Sequence, residues 1–121
     1  MFIGSNCQES TLFRAAYELN VPFSKYIYPK SSFTYCGNRR FHYLEWGDQQ
    51  NQPIVLLHGL GQQSHSWDLI SLSLSDQYRV IALDARGHGD TDWPKDSDYS
   101  PQSHVRDLVC LVNHLRLTDL I

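Results

Sequence analysis

The fold is decided by Pro53-Ile54-Val55-Leu56-Leu57, which leads into His58-Gly59-Leu60-Gly61, and by Arg79-Val80-Ile81-Ala82-Leu83, which leads into Asp84-Ala85-Arg86-Gly87-His88-Gly89. Neither apolar run alternates with polar residues, which is typical of parallel strands that are covered on both faces. We therefore predict neighbouring parallel strands over residues 54–58 and 79–83. A helix is predicted between them from an apolar stripe at helical spacing, formed by Trp67, Ile70 and Leu74 and broadened by Leu69 and Leu72.

The segments on either side of these runs complete an α/β pattern. Residues 33–36 and 39–46 favour β-strands, and Gly37-Asn38 between them indicates a tight hairpin with glycine at its first central position. A helix capped by Ser100, with Pro101 in its first turn, is predicted after the second loop. Its predicted buried stripe consists of Val105, Leu108, Val109, Val112 and Leu115. Residues 118–121 resemble the entry into a further strand.

The first 30 residues carry weaker signals. Residues 11–19 favour a short helix with one apolar face, formed by Leu12, Ala15, Ala16 and Leu19. This segment either packs on the sheet or is loose, and the sequence leaves both alternatives open. The expected organisation is an N-terminal extension over residues 1–30 and a partial α/β domain over residues 31–121.

Composition limits the functional classes. The 121 residues correspond to one domain, and a net charge of −3 without a basic cluster argues against a nucleic-acid partner. No apolar run approaches the roughly 20 residues of a membrane helix, and Met1–Ser5 lacks the basic region of a secretory signal. Cys7, Cys36 and Cys110 form neither an even set nor a close pair, so we expect neither a disulfide nor a zinc site, and we expect a buried Cys110 and a cytoplasmic location.

His-Gly-x-Gly at residues 58–61, followed by Asp-x-Arg-Gly-x-Gly-x-x-x-Trp-Pro at residues 84–94, is a more specific pattern than either motif alone. Residues 31–121 resemble the N-terminal part of the α/β-hydrolase superfamily, of the AB hydrolase-1 type. The resemblance implies hydrolysis of an ester, amide, epoxide or carbon–halogen bond in a small molecule. It assigns one oxyanion-hole N–H to Leu60 and loop-shaping roles to His58, Gly59 and Gly61.

The second loop is expected to support the site. By the same resemblance Asp84 accepts hydrogen bonds from neighbouring backbone or from Arg86, at the rim of the site. His65, His88 and His104 are interpreted as surface or rim residues because no carboxylate lies at ligand spacing from two of them. We expect no metal and no cofactor.

The family's nucleophile lies on a Gly-x-Ser-x-Gly elbow, and these 121 residues contain no such motif. No catalytic residue is therefore assigned, and the chain is expected to be inactive alone. The alternative is a non-catalytic truncated or split-gene product that acts only with a separate C-terminal part. A third interpretation is a dinucleotide-binding unit, because Gly59-Leu60-Gly61 lies between a strand and a helix and Asp84 ends the next strand; Ser64, however, replaces the third glycine.

Overall fold

A computed structural model describes residues 7–121. The elements are α1 (Cys7–Glu18), β1 (Lys30–Cys36), β2 (Arg39–Trp46), β3 (Gln52–Leu57), a 3₁₀ turn (Ser64–Trp67) that continues into α2 (Asp68–Leu74), β4 (Tyr78–Leu83) and α3 (Pro101–His114). None of the helices in this described part is long and apolar enough to span a membrane.

The four strands form one mixed sheet in the order β1-β2-β4-β3. β1 and β2 are the predicted antiparallel hairpin, and Gly37 in its turn has a φ of 62°. β3 and β4 are parallel, with Ile54 opposite Val80 and Leu57 opposite Leu83. The predicted fold class and the predicted strand pairing are confirmed.

Both faces of the sheet are covered, which explains why the apolar runs do not alternate with polar residues. One core lies between the sheet, α1 and α2, and it contains Phe13, Ala16, Leu44, Trp46, Leu72, Val80 and Ala82. The other lies under α3, and it contains Phe41, Tyr43, Ile81, Leu83, Leu111 and Leu117. Because successive side chains of a strand point to opposite faces, β2 and β4 contribute alternate residues to the two cores.

The predicted buried face of α3 is correct only in part, since Leu108, Val112 and Leu115 of the predicted stripe are half-buried. Ser100 caps the helix as predicted and accepts a hydrogen bond from the Ser103 N–H. Val105 and Val109, however, are more than half exposed, while Ser103, Asp107 and Leu111 are buried. The helix turns this way because the Asp107 carboxylate is bound by a buried arginine, described below. In α2, similarly, Ile70 is exposed and Leu72 is buried.

The N-terminal segment packs on the sheet, which decides the alternative that the sequence left open. α1 begins before the predicted residue 11, and its buried residues are Phe13 and Ala16, whereas Leu19 is exposed. The Phe13 ring contacts the rings of Phe23, Tyr26 and Tyr28. The boundary at residues 30 and 31 stays a prediction, and the interpretation of Met1–Ser5 lies outside the described residues.

The prediction that no disulfide forms is wrong. Cys36 and Cys110 are disulfide-bonded, with their Cα atoms 6.1 Å apart. They are 74 residues apart in sequence, so their spacing alone gave no indication of a pair. They meet because α3 packs across the end of β1. Cys110 is half-buried rather than enclosed in the core.

The last residues of the chain lie along the outer edge of β3. The Ile121 N–H donates to the Pro53 carbonyl, and the Ile121 carbonyl accepts from the Val55 N–H. The Gln52 side chain also donates to the Asp119 carbonyl. Ile121 therefore pairs with β3 as the first residue of a fifth strand would, in agreement with the sequence pattern.

Candidate active site

The loop after β3 places an unpartnered backbone donor at the carboxyl end of the sheet. The Leu60 side chain is 95% exposed, and its N–H makes no hydrogen bond to another described residue. Gly61 has a φ of 74°, in the left-handed region that favours glycine, whereas Gly59 does not have a positive φ. The Gly59 N–H donates to the Gln62 side chain at 3.0 Å, which restrains the start of the loop.

His58 connects this loop to the loop after β4. Its Nε2 lies 3.0 Å from the Ala85 N, and because a backbone N–H can only donate, Nε2 must be the acceptor. The ring proton is then on Nδ1, which lies 2.8 Å from the Gly59 carbonyl oxygen and donates to it. Both ring nitrogens are thus engaged, and the geometry gives His58 a positioning role between the two loops.

A cavity of about 280 Å³ is lined in part by the loop that contains Leu60. Its walls come from the ends of β3 and β4, from both loops and from α3, and they are formed by Leu57, His58, Gly59, Leu60, Leu83, Ala85, His88, His104, Asp107 and Leu108. His88 and His104 lie on this rim, while His65 lies elsewhere and pairs with Asp68 at 2.8 Å. The cavity is largely apolar in character, and Leu60, whose N–H is free, is one of the residues that line it.

Asp84 is buried under this rim and accepts three hydrogen bonds. Its Oδ1 accepts from the Ser64 N–H at 2.6 Å. Its Oδ2 accepts from His42 Nδ1 at 2.7 Å and from the Asp90 N–H at 3.0 Å. The sequence left two kinds of hydrogen-bond donor to Asp84 open, neighbouring backbone and Arg86. The structure shows backbone donors, and Arg86 makes no hydrogen bond to Asp84.

These hydrogen bonds determine the ionisation state of Asp84. Burial is the largest influence and by itself would raise the pKa of Asp84, but the hydrogen bonds from His42, Asp90 and Ser64 outweigh it and lower the pKa well below its usual range. An ionised carboxylate only accepts hydrogen bonds, so His42 carries its proton on Nδ1. The Nε2 of His42 lies 2.6 Å from the Ser31 hydroxyl oxygen and is hydrogen-bonded to it.

Ser31, His42 and Asp84 are connected in the same order as the serine, histidine and carboxylate of a hydrolase triad. Ser31, however, lies in the regular strand β1. The backbone N–H groups of a strand lie in the plane of the sheet, whereas the side chain stands perpendicular to it. The N–H groups around Ser31 therefore do not converge beside its hydroxyl, and the arrangement serves to hold the Asp84 carboxylate.

Arg86 anchors α3 to the second loop. Its Nε and Nη2 donate to the two carboxylate oxygens of Asp107, each at 2.7 Å, and its Nη1 donates to the Asp98 carbonyl at 2.7 Å. The hydrogen bonds to Asp107 raise the pKa of the Arg86 guanidinium further. This bidentate pair fixes the helix that forms one wall of the cavity.

Sequence reasoning missed three residues of this network: His42, Asp107 and Thr91. The buried Thr91 hydroxyl accepts from the His42 N–H and donates to the Asp84 carbonyl. A signal for His42 was available, because a histidine within the central apolar strand of a sheet requires buried hydrogen-bond partners. A similar signal was available for Asp107, because an acidic residue on the buried side of an amphipathic helix also requires a hydrogen-bond partner.

Among the side chains that the structure describes, two groups have the composition of a metal site. Donor atoms of His42, Asp84 and Asp90 lie within 4.8 Å of one another, but the Asp84 oxygens and both nitrogens of His42 already have protein partners. Of this group only the Asp90 carboxylate has no hydrogen-bond partner among the described residues, and a single free ligand does not make a metal site. The other group contains the two disulfide-bonded cysteines and is considered below.

The geometry also argues against the dinucleotide interpretation. The Asp84 carboxylate, which would have to bind a ribose, is 1% exposed and fully hydrogen-bonded. Ser64, at the position of the third glycine, begins a short 3₁₀ turn rather than a long helix whose N-terminus could receive a pyrophosphate.

Comparison with known proteins agrees with the fold. The model of the α/β hydrolase fold family matches residues 52–121, more than half of the chain. The chain is 33% identical over 95 residues to a 3-hydroxybutyrate-oligomer hydrolase of Cupriavidus necator, covering 74% of this chain and 32% of that protein. It is 41% identical over 83 residues to a haloalkane dehalogenase of Mycolicibacterium paratuberculosis, covering 67% of this chain and 28% of that protein.

The structure is also similar to a solved epoxide hydrolase of Vigna radiata, with a TM-score of 0.71, 29% identity, and coverage of 77% of this chain and 30% of that one. The chain spans about a third of the length of these proteins or less. The matching segment contains β3, β4, α3 and the two loops that form the cavity. This chain belongs to the α/β-hydrolase fold family.

Proposed function

We propose that this chain supplies the oxyanion-stabilising rim of a hydrolase that cleaves an ester, amide, epoxide or carbon–halogen bond in a small molecule through a covalent intermediate. The observation that carries the proposal is the unpartnered N–H of Leu60, a residue of the loop that lines an apolar cavity. A donor fixed at the carboxyl end of a parallel strand can stabilise negative charge that develops on a reacting oxygen or leaving group.

The chain alone is proposed to be inactive. A covalent hydrolase needs a nucleophile, a base and a group that orients the base. Both ring nitrogens of His58 are hydrogen-bonded within the two loops. His42 and Asp84 are hydrogen-bonded to each other in the buried network and are not available as base and acid. The nucleophile, the acid and the catalytic histidine of the active protein would therefore come from residues outside these 121, with no metal or cofactor required.

The oxyanion role of Leu60 can be tested in a chimera. Residues 31–121 would replace the matching segment of the Cupriavidus necator hydrolase, and kcat would be measured on 3-hydroxybutyrate oligomers. Leu60→Pro removes the N–H and should lower kcat by about 100- to 1000-fold, whereas Leu60→Ala keeps the N–H and should lower it less than about tenfold. Replacing the Leu60 amide by a backbone ester removes the same N–H without a proline ring.

Two outcomes would contradict the proposal. One is a chimera that folds, as judged by circular dichroism, but has no activity before any further change. The other is a backbone-ester chimera that retains the kcat of Leu60→Ala.

The second candidate function is a non-catalytic product that acts only with a separate C-terminal part. It is favoured by the outer edge of β3, where Ile121 has only begun to pair, and by the exposed Val105 and Val109 of α3. An open strand edge and exposed apolar side chains each favour association. On this view the isolated chain is poorly soluble, and a monomeric, cooperative unfolding transition at high concentration would argue against it.

The DNA sequence beyond the codon for Ile121 distinguishes the two candidates. An open frame that encodes a Gly-x-Ser-x-Gly-type elbow soon after this codon supports the hydrolase. A stop codon supports the separate-part alternative. The cytoplasmic location stays a prediction, and the Cys36–Cys110 disulfide removes the argument from unpaired cysteines on which it rested.

A further inference from the structure

We propose that Cys36, Cys110 and His114 form a Zn²⁺ site when the Cys36–Cys110 disulfide is reduced. One sulfur or nitrogen donor atom from each residue lies within 4.8 Å of the other two. Two thiolates and an imidazole are the donors that Zn²⁺ prefers, and three protein ligands leave a fourth position for water.

The backbone already holds the three residues in place. Cys110 and His114 are four residues apart in α3, so they lie on the same face of the helix one turn apart. The Cys110 sulfur is 3.5 Å from His114 Nδ1. Cys36 ends β1, beside the turn of the hairpin, and comes from the opposite side of the group. Zinc binding therefore requires side-chain rotations and no rearrangement of the fold.

The site is accessible to an ion. His114 is exposed and both cysteines are half-buried. Nδ1 of His114 lies 3.0 Å from the Cys110 carbonyl, a contact within its own helix that the ring exchanges for the metal by rotating. An open depression beside Cys36 that is lined by Asp92, Lys95 and Asp96 provides a hydrated approach.

The disulfide and the zinc site exclude each other because they use the same two sulfur atoms. Two equivalents of a low-molecular-weight thiol reduce the disulfide, become a disulfide themselves and leave a thiol on each cysteine. Zn²⁺ then displaces the two thiol protons, which pass to solvent, and binds both thiolates and the neutral His114 ring. The zinc ion is neither oxidised nor reduced in this exchange.

Co²⁺ can be used as a visible probe on untagged protein carrying Cys7→Ser, so that only Cys36 and Cys110 contribute thiols. After reduction with a phosphine, we expect one Co²⁺ per chain, with thiolate-to-cobalt charge-transfer absorption and tetrahedral d–d bands that Zn²⁺ abolishes. The oxidised protein should give neither signal. His114→Ala should weaken Co²⁺ affinity at least about tenfold, whereas His104→Ala, which keeps all three ligands, should leave it unchanged.

Alkylation of the thiols provides a second measurement that does not depend on a folded variant. In the wild-type reduced protein, Zn²⁺ should slow iodoacetamide modification of Cys36 and Cys110 but not of Cys7, as mapped by mass spectrometry. The proposal is overturned if the reduced protein shows no thiolate-to-cobalt absorption. It is equally overturned if His114→Ala binds Co²⁺ as tightly as His104→Ala, or if Zn²⁺ protects all three cysteines alike.

Discussion

Replacing Asp84 by asparagine should strongly destabilise the folded chain. Asp84 is 1% exposed, and three N–H donors converge on its two oxygens. Asparagine offers one oxygen and one NH₂ group in the same space. In either orientation of the amide, at least one of the three donors faces another donor.

The expected cost follows from these contacts. A buried donor left without an acceptor costs about 1–3 kcal/mol. The remaining hydrogen bonds lose their charge assistance and about half of their strength. The sum is about 4 kcal/mol at neutral pH, which corresponds to a shift of about 2 M in the urea midpoint for an m-value of about 2 kcal/mol/M. Asp90→Asn is the matched control, because it removes a nearby charge within 4.8 Å of Asp84 but keeps the Asp90 backbone N–H, which makes the hydrogen bond.

The pH dependence provides an independent check of the same network. The pKa of Asp84 is lower in the folded chain than its unfolded value of about 3.9. Its stabilising contribution is therefore fully present above the unfolded pKa and is lost as pH falls through the folded pKa. The difference between wild type and Asp84→Asn should be constant above about pH 5 and should shrink below about pH 4.

Equilibrium urea unfolding, followed by tryptophan fluorescence at low protein concentration, measures these free energies. Wild type, Asp84→Asn and Asp90→Asn would be compared between pH 3 and pH 7. The reasoning is refuted if Asp84→Asn lies within about 1 kcal/mol of wild type at pH 7, or if its deficit grows as the pH falls.

Three further outcomes are expected. Gly89→Ala should lower the free energy of unfolding by about 2 kcal/mol or more, because φ is 50° and the new Cβ would overlap the Asp84 carboxylate. Gly37→Ala is the control: φ is 62° there and the space around it is free, so this change should cost less. Equal urea midpoints for the two variants would contradict this. Reducing the Cys36–Cys110 disulfide should destabilise the chain by up to about 4 kcal/mol, from the 74-residue separation that it closes, and an unchanged melting temperature would be evidence against it. A serine-reactive phosphonate should not label the chain, because Ser31 lacks converging backbone donors. A stoichiometric adduct on Ser31, located by mass mapping, would show that a nucleophile exists. Any ester hydrolysis by the chain must be compared with the rate of free imidazole at the same histidine concentration.

The sheet could be predicted from the sequence because its signals are local. The two apolar runs and the Gly37-Asn38 turn specify strand type and pairing within short stretches of chain. The His-Gly-x-Gly motif likewise located the loop that carries the free Leu60 N–H. These features depend on neighbouring residues, and so a single sequence contains them.

The interior of the candidate site could not be predicted, because it is made by contacts between distant segments. His42 meets Asp84 across 42 positions, and Arg86 meets Asp107 across 21. The orientation of α3 illustrates the consequence. Counting apolar residues favoured Val105 and Val109 as buried, yet one carboxylate bound to Arg86 turned them outward.

Because of the Arg86–Asp107 pair, the width of the cavity depends on a residue that does not line it. Asp107 and Leu108 form the α3 wall of the cavity, and the Arg86 guanidinium, which lies outside that wall, sets how far α3 stands from the loops. A lysine at position 86 would keep the charge but could not bind both carboxylate oxygens in a planar fork. The helix would then be free to shift, and the width of the cavity would change while every residue that lines it stayed the same. Among related chains, a difference in the size of ligand accepted could therefore originate from this one buried cation, and a comparison restricted to the lining residues would miss it.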